Sequence, residues 1–160
     1  MTGGKFINRT ISILYRNNQR FFAQKLKEYS LPLEVGHIPS LIQVCLYPGI
    51  TQDGISENAG LDKGTVAHTV KQLEDTCLVI RQTDEKDRRI NHIFPTPKGL
   101  EISKIVFKII KELHEILYQG FEPSEIEIAI SLLERMKNNM KNFFLACRNN
   151  ANSSEVNQKI

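Results

Sequence analysis

Thr51-Gln-Asp-Gly-Ile-Ser-Glu-Asn-Ala-Gly-Leu-Asp-Lys-Gly-Thr-Val-Ala-His-Thr-Val-Lys-Gln-Leu-Glu74 is the stretch that decides the fold. Thr51 offers an N-cap hydroxyl to a short helix. Gly60 ends that helix, because a residue without a β-carbon enters a left-handed turn at no steric cost. Asp62 then caps a second helix running to about residue 76. Within it Val66, Val70, Leu73 and Cys77 recur at three- and four-residue steps and predict the packed face, while Thr65, His68, Thr69 and Gln72 repeat on the other side. That second face is polar, almost uncharged, and predicted to look outward.

Downstream the period changes from helical to alternating. Residues 78–83 and 90–94 are short and β-prone, and between them Asp84 to Arg89 are six charged residues without a break. Two strands with a solvated hairpin tip are the economical reading. Thr96 and Pro97 supply an N-cap and a first-turn proline for a long helix, whose seam is Ile102, Ile105, Ile109, Leu113 and Ile116. Gly120 ends it, and a last helix after Pro123 carries Ile126, Ile130, Leu133, Met136, Met140 and Phe144.

Upstream, Ile7, Ile11, Leu14, Phe21, Phe22 and Leu26 mark a long amphipathic helix over residues 6–29, stopped near Ser30 by Pro32. A further helix is predicted over 35–46, with Pro39 in its first turn. The class is therefore mainly α with a small β wing (α+β). Helix, tight turn, helix and charged hairpin is the order of a winged helix-turn-helix. The expected organisation is a DNA-binding lobe over residues 34–96, a helical dimerisation region over 5–33 and 97–147, and a polar, disordered tail over 148–160.

Composition narrows the function. The 160 residues are 41% hydrophobic and 24% charged with a net charge of +3, ordinary for a globular domain. The distribution says more. Residues 1–30 carry six basic groups against Glu28, residues 31–62 hold four acids and no Lys or Arg, and residues 63–98 carry seven basic groups against five acids. Cys45, Cys77 and Cys147 form no CxxC, and His37, His68, His92 and His114 form no HxxxH or HExxH, so no metal site is expected. The cysteines read as small core or surface residues rather than redox sensors. No nucleophile with a base, acid pair or phosphate loop occurs, so neither an enzyme nor a cofactor is expected. The absence of a long apolar run or a secretory start predicts no membrane partner and a cytoplasmic protein.

The recognition-helix face suits duplex DNA. Thr65, His68, Thr69 and Gln72 can address base edges, Lys63 and Lys71 can neutralise phosphates, and Lys86, Arg88 and Arg89 can reach the backbone or a narrow minor groove.

The stretch quoted above, with Asp87-Arg88-Arg89 and Thr96-Pro97-Lys98-Gly99, resembles the MarR family of bacterial and archaeal transcriptional regulators, and the likeness spans about residues 6–144. The resemblance implies a homodimer built from the first and last two helices. It implies binding to a pseudo-palindromic double-stranded DNA operator, repression more than activation, and release by a small aromatic or anionic effector. It also implies that Asp87 orients Arg89 for the DNA backbone and that Lys63, Thr65, His68 and Thr69 lie at recognition positions. The family places its effector pockets between the dimer helices and the winged lobe, where Tyr15, Arg16 and His37 are the candidate ligand-binding residues. This chain has His68 where the family commonly has arginine, and Cys77 where it favours glycine. The competing expectation is a winged-helix protein interaction module without DNA binding.

Overall fold

The computed structural model describes residues 4–156, with side chains over residues 7–147. It contains α1 (Gly4–Glu28), a 3-10 turn (Val35–His37), α2 (Ile38–Leu46), β1 (Ile50–Thr51), α3 (Gln52–Ala59), α4 (Lys63–Asp75), β2 (Val79–Thr83), β3 (Asn91–Pro95), α5 (Pro97–Leu117) and α6 (Pro123–Val156). The α+β class with a small wing is the one observed. The expected single helix over 35–46 is divided. Pro39 has no N–H to continue the ladder, so a tighter turn, with His37 N–H donating to Glu34 O at 3.0 Å, precedes α2.

The hairpin gains a third strand that spacing did not predict. β1 pairs antiparallel with β3, Ile50 opposite Ile93 and Thr51 opposite His92, giving the order β1-β3-β2. Two residues are too few to show an alternating pattern. Thr51 serves twice, as a strand residue and as the N-cap of α3, its Oγ1 accepting from Gly54 N–H at 3.1 Å.

Three helices end on a left-handed residue. At α4 the Leu78 N–H donates to Leu73 O and the Cys77 N–H to Glu74 O, each at 2.8 Å, with Cys77 at φ 58°. This is the Schellman arrangement, and its apolar contact pair, Leu73 and Leu78, is fully buried. α1 ends likewise, Leu31 N–H to Leu26 O at 2.9 Å, with Ser30 at φ 52°. Only α3 has a glycine there, Gly60 at φ 65°. Cys77 thus keeps the exit geometry that glycine would give, with a β-carbon in a region that disfavours one.

Thr96-Pro97-Lys98-Gly99 staples α5 to that exit. Thr96 Oγ1 accepts from Gly99 N–H at 3.0 Å as an N-cap and donates to Cys77 O at 2.7 Å. Lys98 Nζ donates to Thr76 O at 2.9 Å, a cation on the carbonyl end of α4. Gly99 is required by close approach, since a β-carbon there would stand 2.0 Å from Leu78 O.

The core is built from Leu41, Val44, Ile55, Val66, Val70, Leu73, Leu78, Ile93 and Val106, none exposed, each contributing about 1.5–3 kcal/mol by burial. α1 joins it through Leu26, and α5 through Ile102 and Val106. The chain divides into two compact units, Met1–Glu115 and Ile116–Ile160. The second holds α6, whose Ile128, Leu133, Met140 and Phe143 are 59%, 50%, 55% and 60% exposed. The backbone stays helical past residue 148, where composition led to an expectation of disorder, through Val156. Residues 157–160 of that expected tail lie outside the described residues.

Candidate nucleic-acid interface

The outward side of α4 is narrower than its sequence spacing implies. Asp62 caps the helix, Oδ1 accepting from Thr65 N–H at 2.9 Å, and the Thr65 hydroxyl donates to the same carboxylate. These bonds hold the Asp62 carboxyl below its ordinary value, the Thr65 hydroxyl contributing most. Thr65, His68 and Lys71 are exposed. Thr69 is not: at 4% exposure it sits with Val66, Val70 and Leu73 on the packed side. An apolar arc slightly wider than the three-four spacing takes it in.

Gln72 is half-buried and already engaged. His37 Nε2 lies 2.7 Å from Gln72 Oε1, and Glu34 N–H donates to His37 Nδ1 at 3.3 Å. The ring thus bridges the Glu34 amide and the Gln72 side chain. His37 is only 8% exposed. Its ring therefore fastens the 3-10 turn to α4. Tyr15 is 62% exposed and lies about 16 Å along α1 from Leu26, where that helix meets the lobe. Arg16 is exposed beside it. The open hollow near His37, about 680 Å³, is lined instead by Ala23, Leu26, Lys27, Leu31, Leu33 and Val35, among others.

Lys63 opens α4 exposed, its Nζ 2.8 Å from Asp53 Oδ1 on α3. In water such a pair is worth well under 1 kcal/mol, so a phosphate can displace the carboxylate.

Carboxylates shape the wing tip. Asp84 Oδ1 accepts from Lys86 N–H at 2.8 Å and from Asp87 N–H at 2.9 Å, an aspartate turn. Asp87 Oδ1 accepts from Arg89 N–H at 3.0 Å and from Arg89 Nε at 3.2 Å. The guanidinium, whose side chain is 92% exposed, is thus held at its root while its two NH₂ groups point free. Lys86 and Arg88 are exposed beside it.

Spacing did not single out His92, which ties this tip to the sheet. Its Nδ1 lies 2.8 Å from Gly49 O and its Nε2 3.0 Å from Asp84 Oδ2. Both partners can only accept, so the site favours the doubly protonated ring. The Gly49 carbonyl, then Asp84, raise its pKa above the ordinary 6.5. Backbone N–H of Asp87, then His92, hold Asp84 below its ordinary value. No motif marks this pairing, because its partners come from two different turns. Arg81, paired with Glu74 at 2.8 Å, fixes β2 to α4.

Among the described residues no group of three His, Cys, Asp or Glu could hold a metal ion, and no helix is long and apolar enough to cross a membrane. The assembled surface is a helix face and a rigid basic finger on one small lobe, a shape for docking.

A sequence profile of the MarR family matches residues 44–90, from α2 to the wing tip. The chain is 29% identical over 111 residues to the uncharacterized HTH-type transcriptional regulator YybA of Bacillus subtilis (strain 168), covering 69% of this chain and 74% of that one. It superposes on the MepR–DNA complex of S. aureus with a TM-score of 0.76 at 20% identity, over 83% of this chain and 97% of that one. A MarR transcriptional regulator from Methanosarcina mazei Go1 is 36% identical, with a TM-score of 0.74, over 86% of this chain and 98% of that one. With the lobe and its flanking helices shared over nearly the whole of that regulator, this chain belongs to the MarR family of transcriptional regulators.

Proposed function

We propose that this regulator binds a pseudo-palindromic operator in double-stranded DNA as a homodimer, represses transcription, and is released by a small aromatic or anionic effector. The observation that carries the reading is the pairing of two solvent-facing elements on one lobe: the Thr65, His68 and Lys71 face of α4, and the wing with Arg88 and Arg89. α4 has an exposed polar face whose one acid, Asp75, lies at its C-terminal end, leaving the Thr65, His68 and Lys71 portion suited to the major groove. The wing presents cations on a turn made rigid by Asp84 and Asp87, suited to phosphates or a narrow minor groove. Lys63, Lys86 and Gln72, through its remaining NH₂ group, complete the contact set. Thr69 acts through packing. The MepR neighbour, which shares the fold, was solved with DNA.

Residues 34–96 form the DNA-binding lobe, and residues 5–33 and 97–147 supply the dimer contacts. The support is apolar surface left open. Ile7, Ile11 and Leu14 of α1 are 39–43% exposed, and Ile130, Leu133, Met140, Phe143 and Phe144 of α6 are 48–60% exposed. A lone subunit does not ordinarily keep that much apolar area in water. Two-fold symmetry then sets the α4 helices about one turn of DNA apart. An effector lodged in the hollow under Leu31 and Leu33 would change that separation and weaken binding without touching DNA. As a DNA-binding regulator it acts in the cytoplasm.

The test is a selection of bound fragments from random DNA, followed by binding to the best fragment and to the region upstream of its own gene. Preference over random duplex at moderate salt, lost on Arg88→Ala/Arg89→Ala, is the expected result. Equal binding to all duplexes, or no binding, sinks it and favours a protein interaction module.

A further inference from the structure

α1 carries its unpaired charge along one line. Arg9, Arg16, Arg20 and Lys27 follow one another at steps of seven, four and seven residues. At about 100° per residue, those steps return to within about 20° of a single direction. The result is a row parallel to the helix axis, about 27 Å long at 1.5 Å per residue. All four side chains are exposed. Among the described residues none has an acid partner, whereas Lys25, on the far side of the helix, is 2.8 Å from Glu112 and 3.4 Å from Glu28. α1 has no acid before Glu28. Among the described residues, those bordering the row are Ser12, Asn17, Gln19, Ala23 and Gln24, with Ile13 the one large apolar neighbour. Phe22 and Leu26 turn away from the row and pack into the core, so the row faces outward.

We propose that this stripe is a second, sequence-independent contact for the backbone of double-stranded DNA, separate from α4 and the wing. A straight, rigid row suits a rigid polyanion. Duplex DNA carries a charge every 1.7 Å of axis, and about 27 Å is most of one of its turns. Three of the four cations are arginines, whose forked donors match phosphate oxygens. A single strand is disfavoured because, among the described residues, no aromatic lies on the row to stack its bases. A membrane surface is disfavoured because the border is amide and hydroxyl, not the Trp, Phe or Leu that an inserting helix presents. Dimerisation through the apolar side of α1 would leave the stripe outward, free to hold duplex beyond the operator.

The experiment measures binding of the full chain to a random-sequence duplex over a range of salt, for the native protein and for Arg9→Gln/Arg16→Gln/Arg20→Gln/Lys27→Gln. Glutamine is as good a helix former as arginine at exposed sites, and circular dichroism checks that the variant folds. The slope of log affinity against log salt should fall in magnitude by about three to four per protomer. A lysine-restored variant, Arg9→Lys/Arg16→Lys/Arg20→Lys, should keep the native slope. An unchanged slope in the glutamine variant overturns the proposal. So does loss of binding only to phosphatidylserine vesicles, which would mark a membrane surface. Failure of the operator reading is seen separately, as absent sequence preference with the stripe's share of the slope intact.

Discussion

Replacing Cys77 by glycine should stabilise this protein. Cys77 holds φ 58° at the end of α4, and a β-carbon in the left-handed region costs about 1–2 kcal/mol. Glycine removes that strain but gives the unfolded chain more freedom, an offset of about 0.5–1 kcal/mol. The thiol is exposed, so no packing is lost. The two hydrogen bonds of the turn, at 2.8 Å, are backbone bonds and survive the change. The net gain is about 0.5–1 kcal/mol, which for a chain of this length raises Tm by about 1–4 °C. Scanning calorimetry or a urea midpoint reads this directly, with Cys77→Ala as the control that keeps the β-carbon. A lower Tm for Cys77→Gly, or an equal rise for Cys77→Ala, would refute the argument from backbone strain.

Other outcomes follow from the same contacts. Gly99→Ala should lose about 3 kcal/mol in urea unfolding, because its β-carbon would meet Leu78 O at 2.0 Å; an unchanged midpoint contradicts the close approach. Thr96→Val, which removes the N-cap bond to Gly99 and the bond to Cys77 O, should lose about 1–2 kcal/mol by the same measurement. The wing should be pH dependent through His92. Its folded pKa is raised above 6.5, so its stabilisation is fully present below about pH 6.5 and is lost as pH rises through the folded value. Amide protection at Lys86, Asp87 and Asn91, taken relative to the intrinsic base-catalysed exchange rate, should fall over that interval, and His92→Gln should abolish that fall; protection that does not change with pH in the native chain would show that the ring is not charged.

Much of the architecture is legible in the chain because its punctuation is local. Thr51, Asp62 and Thr96 are followed by the backbone donors they cap. The switch from helical to alternating spacing at residue 78 marks the hairpin within a residue or two. What is hidden has long-range causes. β1 exists because Ile93 and His92 offer it a partner. Thr69 is placed inward by the packing of neighbouring elements on α4, which a seven-residue repeat does not encode. His37 and Gln72 are 35 positions apart, and the His92 ring joins Gly49 to Asp84. The wing cations are readable as a charge run and the role of Asp87 follows from the resemblance, but Asp84, which shapes the turn, looks like one more member of that run.

The most direct test of the whole account is a hydroxyl-radical footprint of the protein on its best selected duplex. Two protected segments related by a dyad, their centres about 10 base pairs apart, with extra protection lost at the outer edges in Arg88→Ala/Arg89→Ala, are the predicted pattern. A uniform, unprotected ladder, or one protected segment without a dyad mate, would contradict it.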